Sequence, residues 1–158
     1  MSKSKCMGFL LLAVFLQYHS VIRAESYQDP TKMKGTYSEL VQKGNEAYNA
    51  HRFSDAEAAY VSALAKKETA DVYINLGHVY MMMQDRVDDA IGAYTKALDI
   101  EPDNLKPVRY LGTAHLLDKD YRNALQAFQK ISKPPELDSD LFISIGICLE
   151  NLGNSEGA

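Results

Sequence analysis

The strongest constraint on the fold is an internal repeat of about 34 residues. Four glycines are separated by 33, 35 and 34 residues: Gly44, Gly77, Gly112 and Gly146. An alanine follows each glycine 12 or 13 positions later: Ala56, Ala90, Ala124 and Ala158. Short turns lie between each glycine and its alanine, and the apolar residues on both sides have helical spacing. A period of this length is typical of stacked structural units, so the pattern predicts a series of helix-turn-helix units.

The second unit shows the pattern most completely. It contains Tyr73-x-x-Leu76-Gly77-x-x-Tyr80, followed by Ala90-x-x-x-Tyr94-x-x-Ala97-Leu98-x-x-x-Pro102. With these residues the chain resembles the tetratricopeptide repeat family, whose signature has the same residue types at a period of 34. The resemblance implies an all-α, right-handed solenoid of antiparallel helix pairs, with about three and a half repeats.

The repeat period divides the chain into units. A polar leader at 25–36 precedes repeats at 37–69, 70–104 and 105–138, and 139–158 is an incomplete fourth repeat. The gap from Gly77 to Ala90 is one residue longer than the others, which predicts an extended turn around residues 84–87. The fourth unit has a predicted turn at 152–154. Because it is interpreted as truncated, Phe142, Ile145 and Leu149 are expected to lack a covering helix.

Small residues at the repeated glycine and alanine positions allow two helices to approach closely. Large side chains are expected to fill the space beside them: Tyr60, Tyr80, Tyr94 and Phe128. His115 occupies a position where the repeat usually has an aromatic residue, and Cys148 lies between apolar neighbours on a predicted helix. We therefore expect both side chains to belong to the core rather than to a reactive site.

Three helix starts have recognisable N-terminal signals. Thr36-x-x-Glu39 and Ser54-x-x-Glu57 have the capping-box spacing, and Asn104 directly precedes an apolar helical stretch. These patterns predict side-chain caps at Thr36, Ser54 and Asn104.

The first 24 residues have the layout of a secretory signal peptide. A short basic start precedes an apolar run over residues 7–16, polarity returns at 17–20, and cleavage is expected after Ala24. Ile22 is bulky for a position near a cleavage site, so an uncleaved N-terminal anchor remains the alternative and would be the only membrane contact. Cys6 precedes the apolar run, which argues against lipid attachment. The pattern predicts export, to a bacterial periplasm or a eukaryotic secretory lumen or exterior.

Composition and motifs exclude several classes of function. The chain has 17 basic and 21 acidic residues, a net charge of −4, so it lacks the positive field that nucleic-acid binding requires. Its two cysteines and four histidines show no metal-ligand spacing. A nucleophile elbow, a phosphate loop and a zinc-protease motif are all missing from the sequence. We therefore expect no catalysis, cofactor or metal.

The resemblance also implies a concave groove, formed by the first helix of each repeat, which holds a peptide or helix of a partner. The side chains expected to line it are Asn45, Tyr48, Asn49, Ile74, Asn75, His78, Met81, Met82, Lys106, Arg109, Tyr110 and Thr113. Lys106 and Arg109 form a basic spot that suits an acidic motif or a C-terminal carboxylate.

Several features of this groove have two interpretations. Asn45, Asn75 and Lys106 match three of the five positions of the carboxylate clamp found in some co-chaperones of the family. Val41 and Tyr110 stand where that clamp has cations, which argues against a complete clamp. The methionines at 81–83 are either an adaptable binding surface or a helix end with Met83 packed between repeats. Likewise, His78 either makes binding depend on pH or is a plain hydrogen-bonding side chain.

These observations predict an exported, non-catalytic scaffold that binds a protein or peptide. The alternative is an N-terminal segment that docks a larger exported enzyme or assembly factor, truncated here. Self-association through the open end of the stack is a third possibility, because a bare apolar face promotes association.

Overall fold

A computed structural model describes residues 33–131 and 139–156. The predicted signal peptide and most of the polar leader lie outside the described residues. Within them the chain forms seven α-helices and no strand: α1 (Tyr37–Asn49), α2 (Phe53–Leu64), α3 (Ala70–Met82), α4 (Val87–Ile100), α5 (Leu105–Leu117), α6 (Tyr121–Gln129) and α7 (Ser139–Glu156). Among these helices, none has both the length and the apolarity that a membrane-spanning segment requires.

The helices stack in chain order. Each helix packs against the next one, and α7 also contacts α5. Short turns join α1 to α2, α3 to α4 and α5 to α6, so that each pair runs antiparallel. This arrangement confirms the predicted all-α solenoid of helix pairs.

Two of the predicted N-caps are confirmed. The Thr36 hydroxyl accepts a hydrogen bond from the Glu39 backbone N–H at 3.3 Å, and the Glu39 carboxylate accepts one from the Thr36 N–H at 2.9 Å. At the start of α5, Asn104 Oδ1 accepts from the Lys106 N–H at 3.1 Å. Both caps satisfy backbone donors that the first helical turn leaves unpaired.

The third predicted cap, Ser54, is wrong. Helix α2 begins at Phe53, so its N-cap position is Arg52, two residues before Ser54, and Arg52 makes no side-chain cap. The guanidinium of Arg52 instead pairs with Asp55 at 2.9 Å. A cap that the sequence analysis missed lies at Asp120, whose Oδ1 accepts from the Asn123 N–H at 3.2 Å.

The turns inside the repeats share a left-handed residue. His51, Asp85 and Lys119 have φ values of 57°, 58° and 63°. Three residues join α1 to α2 and α5 to α6, whereas the four residues of 83–86 join α3 to α4. The predicted extended turn of the second repeat is therefore confirmed. The turn predicted at 152–154 is wrong, because α7 continues through it and no second helix packs there within the described residues.

The centre of each complete repeat is a contact between a glycine and an aromatic ring. A Cβ added at the glycine would lie 2.4 Å from the ring in three pairs: Gly44 with Tyr60, Gly77 with Tyr94, and Gly112 with Phe128. All three rings are buried, as expected. Tyr80 differs from the prediction, since it is half-buried with its ring 4.5 Å from the Arg86 guanidinium rather than against a glycine.

The fourth repeat is covered on one side. Leu141 and Cys148 are buried against α5 and α6, and burial raises the pKa of the Cys148 thiol. Phe142 and Leu149 are 62% and 54% exposed, which confirms that no helix covers them in the described chain. Ile145 is half-buried because it packs against the core formed with α5 and α6, so the preceding repeat covers it in part, and no second helix of its own repeat does so within the described residues.

Candidate peptide-binding face

Three aromatic side chains connect the second and third repeats. The His78 ring of α3 lies edge-on to Tyr110 of α5, with 4.4 Å between ring centres and an interplanar angle of 88°. Both rings also contact Tyr94 of α4, at 5.8 Å from His78 and 5.5 Å from Tyr110. Such aromatic contacts favour one relative placement of the helices. The cluster therefore fixes α3 beside α5. Tyr94 is 1% exposed, so only the half-buried rings of His78 and Tyr110 belong to the face predicted to bind a partner.

The environment of His78 favours its neutral form. Burial lowers the pKa of the imidazole, because it removes the water that would stabilise the charged ring and the neighbouring aromatic rings do not replace that hydration. The same burial raises the pKa of the Tyr94 phenol. The centre of the face is thus aromatic and uncharged near neutral pH.

Asn45 on α1 is exposed, and its side chain is held in place. Its Oδ1 accepts a 2.6 Å hydrogen bond from the hydroxyl of Tyr60, the ring that packs on Gly44. Burial raises the pKa of Tyr60 to about 12, so the phenol keeps its proton. Asn75 lies half-buried on α3, the next first helix of the stack.

The predicted basic spot lies at the start of α5. Lys106 is exposed, and its ammonium has no carboxylate partner among the residues that the structure describes. Arg109 is half-buried and is engaged within the protein, while the Thr113 hydroxyl donates to the Arg109 carbonyl at 3.1 Å. Lys106 is therefore the cation of this face best placed to attract an acidic ligand.

Ile74 is not a groove residue. It is only 7% exposed and packs with Ala70 and Tyr94 inside the second repeat, so this prediction is wrong. The reason is that the helices before and after α3 both pack against it. Fewer of its side chains therefore reach solvent on the groove side than the repeat pattern predicts.

The other predicted groove residues are accessible to different degrees. Met81 is half-buried in the same cluster as Ile74, while Met82 is 52% exposed. Met83 packs against the core of the first repeat, which agrees with the interpretation of a helix end. On α1, Tyr48 is half-buried with its ring 5.9 Å from Phe53, and Asn49 is exposed.

The clamp positions that lack cations are occupied by packed side chains. Val41 is half-buried against the core of the first repeat, and Tyr110 is part of the aromatic cluster. Neither position offers a positive charge to a carboxylate. The face therefore carries the two asparagines and Lys106 without the two further cations of a complete clamp.

An open cavity of about 550 Å³, which the sequence does not predict, lies at the edge of the stack. Its walls come from the turns of two successive repeats: His51, Arg52, Phe53, Ser54, Asp55, Met83 and Gln84. No sequence signal predicts it, because two turns about 33 residues apart form it only after the repeats stack. In the described part of the chain, acidic residues, histidines and cysteines form no group suited to hold a metal.

Paired helices at a period of 34, with one layer carrying exposed polar side chains, define an α-helical repeat solenoid. The tetratricopeptide repeat model matches residues 41–105 and 84–137. The chain belongs to the tetratricopeptide repeat family, whose members are non-catalytic protein-interaction domains.

Named proteins show the same likeness. The Hsp70-Hsp90 organizing protein of Triticum aestivum is 30% identical over 92 residues, which are 58% of this chain and 16% of that protein. Yeast Tom70 superposes with a TM-score of 0.70 and 24% identity, over 76% of this chain and 25% of that one. The first repeat domain of Spaghetti (RPAP3), solved with an HSP90 peptide, superposes with a TM-score of 0.69 and 13% identity. The match covers 75% of this chain and 94% of that domain. The chain thus spans about a sixth of the length of the curated relative.

Proposed function

We propose that the chain is an exported, non-catalytic adaptor that binds an acidic segment of a partner on the face formed by α1, α3 and α5. The observation that carries this proposal is the exposed Lys106, which has no carboxylate partner in the described chain. It lies on α5, one turn before Tyr110, whose ring contacts His78. The rings offer an apolar surface, and Asn45, held by Tyr60, offers an amide donor.

The relatives support an acidic ligand. The RPAP3 domain of the same fold is bound to the peptide SRMEEVD, which contains two glutamates and an aspartate. In this chain Val41 and Tyr110 replace the missing clamp cations, so we propose that the ligand is held by acidic side chains more than by a terminal carboxylate.

A peptide selection tests this function. The full chain is used to select from a phage-displayed random-peptide library, and the enriched peptides are titrated by fluorescence anisotropy with free and amidated C-termini. Lys106→Glu should weaken binding about tenfold, because a charge-assisted contact becomes repulsive. Lys96→Glu on α4 is the matched control, since Lys96 is 64% exposed on a second helix. Equal affinities of both variants, or an absolute need for the free C-terminus, would contradict the proposal.

Export rests on the first 24 residues, which combine a basic start, an apolar run and a small residue at Ala24. Secretion of the tagged chain followed by N-terminal sequencing tests it. A product that begins at Glu25 supports a cleaved signal peptide, and an intact product at the membrane supports the anchor. A full-length product in the cytosol would contradict export.

The second candidate is a docking segment of a larger exported enzyme or assembly factor. The observation that favours it is the small share of the curated relative that the chain spans. Immunoblotting of the native gene product tests it, because a mass well above that of this chain supports the larger protein and a matching mass contradicts it.

A further inference from the structure

The fourth repeat has the glycine at the repeat spacing, Gly146, but no aromatic ring of the described residues packs against it. Gly44, Gly77 and Gly112 each have an aromatic ring pressed against them, whereas nothing among the described residues lies within 4 Å of a Cβ at Gly146. Phe142 and Leu149 flank this glycine one turn on either side of α7, and both are exposed. The surface of Phe142, Gly146 and Leu149 is called here the open helix site.

The other repeats show what kind of element fits the open helix site. In each of them the antiparallel second helix packs an aromatic ring on the glycine and has a buried alanine four positions before that ring: Ala56 and Tyr60, Ala90 and Tyr94, Ala124 and Phe128. The equivalents of Phe142 in the first and third repeats, Leu40 and Val108, are buried by such a helix. The open site thus continues an interface that this chain forms three times.

The charge of α7 distinguishes between two possible occupants of the open helix site, a second copy of α7 and a helix with basic residues. Helix α7 contains Asp140, Glu150 and Glu156 and no lysine, arginine or histidine. Two antiparallel copies of α7 would bring these acids together, and like charges on paired helices are unfavourable. A helix with basic residues beside its apolar stripe would instead be attracted.

We propose that α7 is a docking site for a basic amphipathic helix of a partner protein, which places an aromatic ring against Gly146. This site is separate from the face of α1, α3 and α5, and it does not depend on the function proposed for that face. Docking would bury Phe142 and Leu149 and complete the fourth helix pair.

A peptide copied from the chain itself provides the probe. Residues 119–131 include Ala124 and Phe128, which cover Gly112, and carry Lys119, Arg122 and Lys130 against a single acid. Because so short a helix is marginal in water, a hydrocarbon bridge joins the exposed positions 123 and 126. The labelled peptide is titrated with the full chain by fluorescence anisotropy, and its Phe128→Ala form is the ring-deleted control.

Two glycine variants of the full chain locate the binding site. Gly146→Leu fills the open helix site, and Gly92→Leu on α4 is the matched control, because a Cβ at Gly92 also meets nothing within 4 Å. We expect about tenfold weaker binding with Gly146→Leu or with the Phe128→Ala peptide, and unchanged binding with Gly92→Leu.

Three results would overturn the proposal. They are no saturable binding of the bridged peptide, binding that Gly146→Leu leaves unchanged, and a dimer in sedimentation that Gly146→Leu dissociates. The last result would assign the open helix site to a second copy. Lys106→Glu should not alter binding of this peptide, so failure here and failure of the proposed function are distinguishable.

Discussion

A Cβ on Gly77 would lie 2.4 Å from Cε1 of Tyr94, closer than two carbon atoms can approach without displacement. Gly77→Ala therefore forces the buried ring or the helix to move, and it should lower the free energy of unfolding by about 1–3 kcal/mol. Gly92→Ala in the same repeat meets no neighbour and should raise that free energy by about 0.5–1 kcal/mol, the helix-propensity gain. Urea denaturation of both variants is the measurement. Equal or greater stability of Gly77→Ala would contradict the packing described.

This contact also explains why the sequence predicts the fold so well. In this chain the two helices of a repeat approach closely because one has a glycine where the other has a large ring. The repeat can therefore be recognised from residue types that few other structures require at these positions. The caps at Thr36 and Asn104 are similarly local, because each side chain reaches only two or three residues along the chain.

Arg86 connects the first two repeats. Its guanidinium donates to Glu57 of α2 at 3.0 Å and to Asp89 of α4, and it lies 4.5 Å from the centre of the Tyr80 ring. Because these contacts are partly shielded from water, Arg86→Ala should lower the free energy of unfolding by about 1–2 kcal/mol. Arg52→Ala removes an exposed pair and should cost less than about 0.5 kcal/mol. Thermal and urea unfolding measure both, and similar losses would show that Arg86 does not join the repeats.

Asp120 caps α6, and its effect on stability depends on pH. Its pKa is lowered, first by the hydrogen bond from the Asn123 N–H. A carboxyl with a lowered folded pKa stabilises above its unfolded pKa of about 4, and the effect disappears as the pH falls through the folded pKa. Asp120→Ala should cost about 1 kcal/mol at pH 7 and less at pH 2, while Asp120→Asn keeps a cap and costs less. Urea denaturation at pH 7 and pH 2 measures these losses. An equal loss of unfolding free energy in Asp120→Ala at both pH values would contradict a charged cap at Asp120.

His78 makes the stability of the fold depend on pH in a second range, below about pH 6.5. Burial lowers its folded pKa, so the unfolded chain binds more protons between that value and about 6.5. Stability is therefore full above pH 6.5 and falls as the pH drops through this window. His78→Phe keeps a ring between Tyr94 and Tyr110 and should flatten the slope. His51→Gln, in an exposed turn, should leave it unchanged. Chemical denaturation from pH 7.5 to 5 measures the slopes, and a wild-type slope in His78→Phe would contradict the burial argument.

The binding face is less predictable than the fold for a physical reason. Whether a side chain on a first helix reaches solvent depends on the curvature of the stack and the size of its neighbours, neither of which is local. Ile74 fits the groove pattern yet is buried by α4, and Lys106 fits it and is exposed. The Ser54 cap is wrong because α2 begins two residues earlier than a cap at Ser54 requires. The helix through 152–154 stands in place of a predicted turn, since no second helix within the described residues packs there to hold such a turn.

The most direct test of the central claim is a residue-level map of where a selected acidic peptide binds the full chain. Backbone amide and His78 ring signals are followed by NMR as that peptide is added. The account predicts shifts that centre on Asn45, His78, Lys106 and Tyr110, with residues of α2, α4 and α6 that face away from them unchanged. Shifts confined to the second helices, or to α7, would contradict binding on the face of α1, α3 and α5.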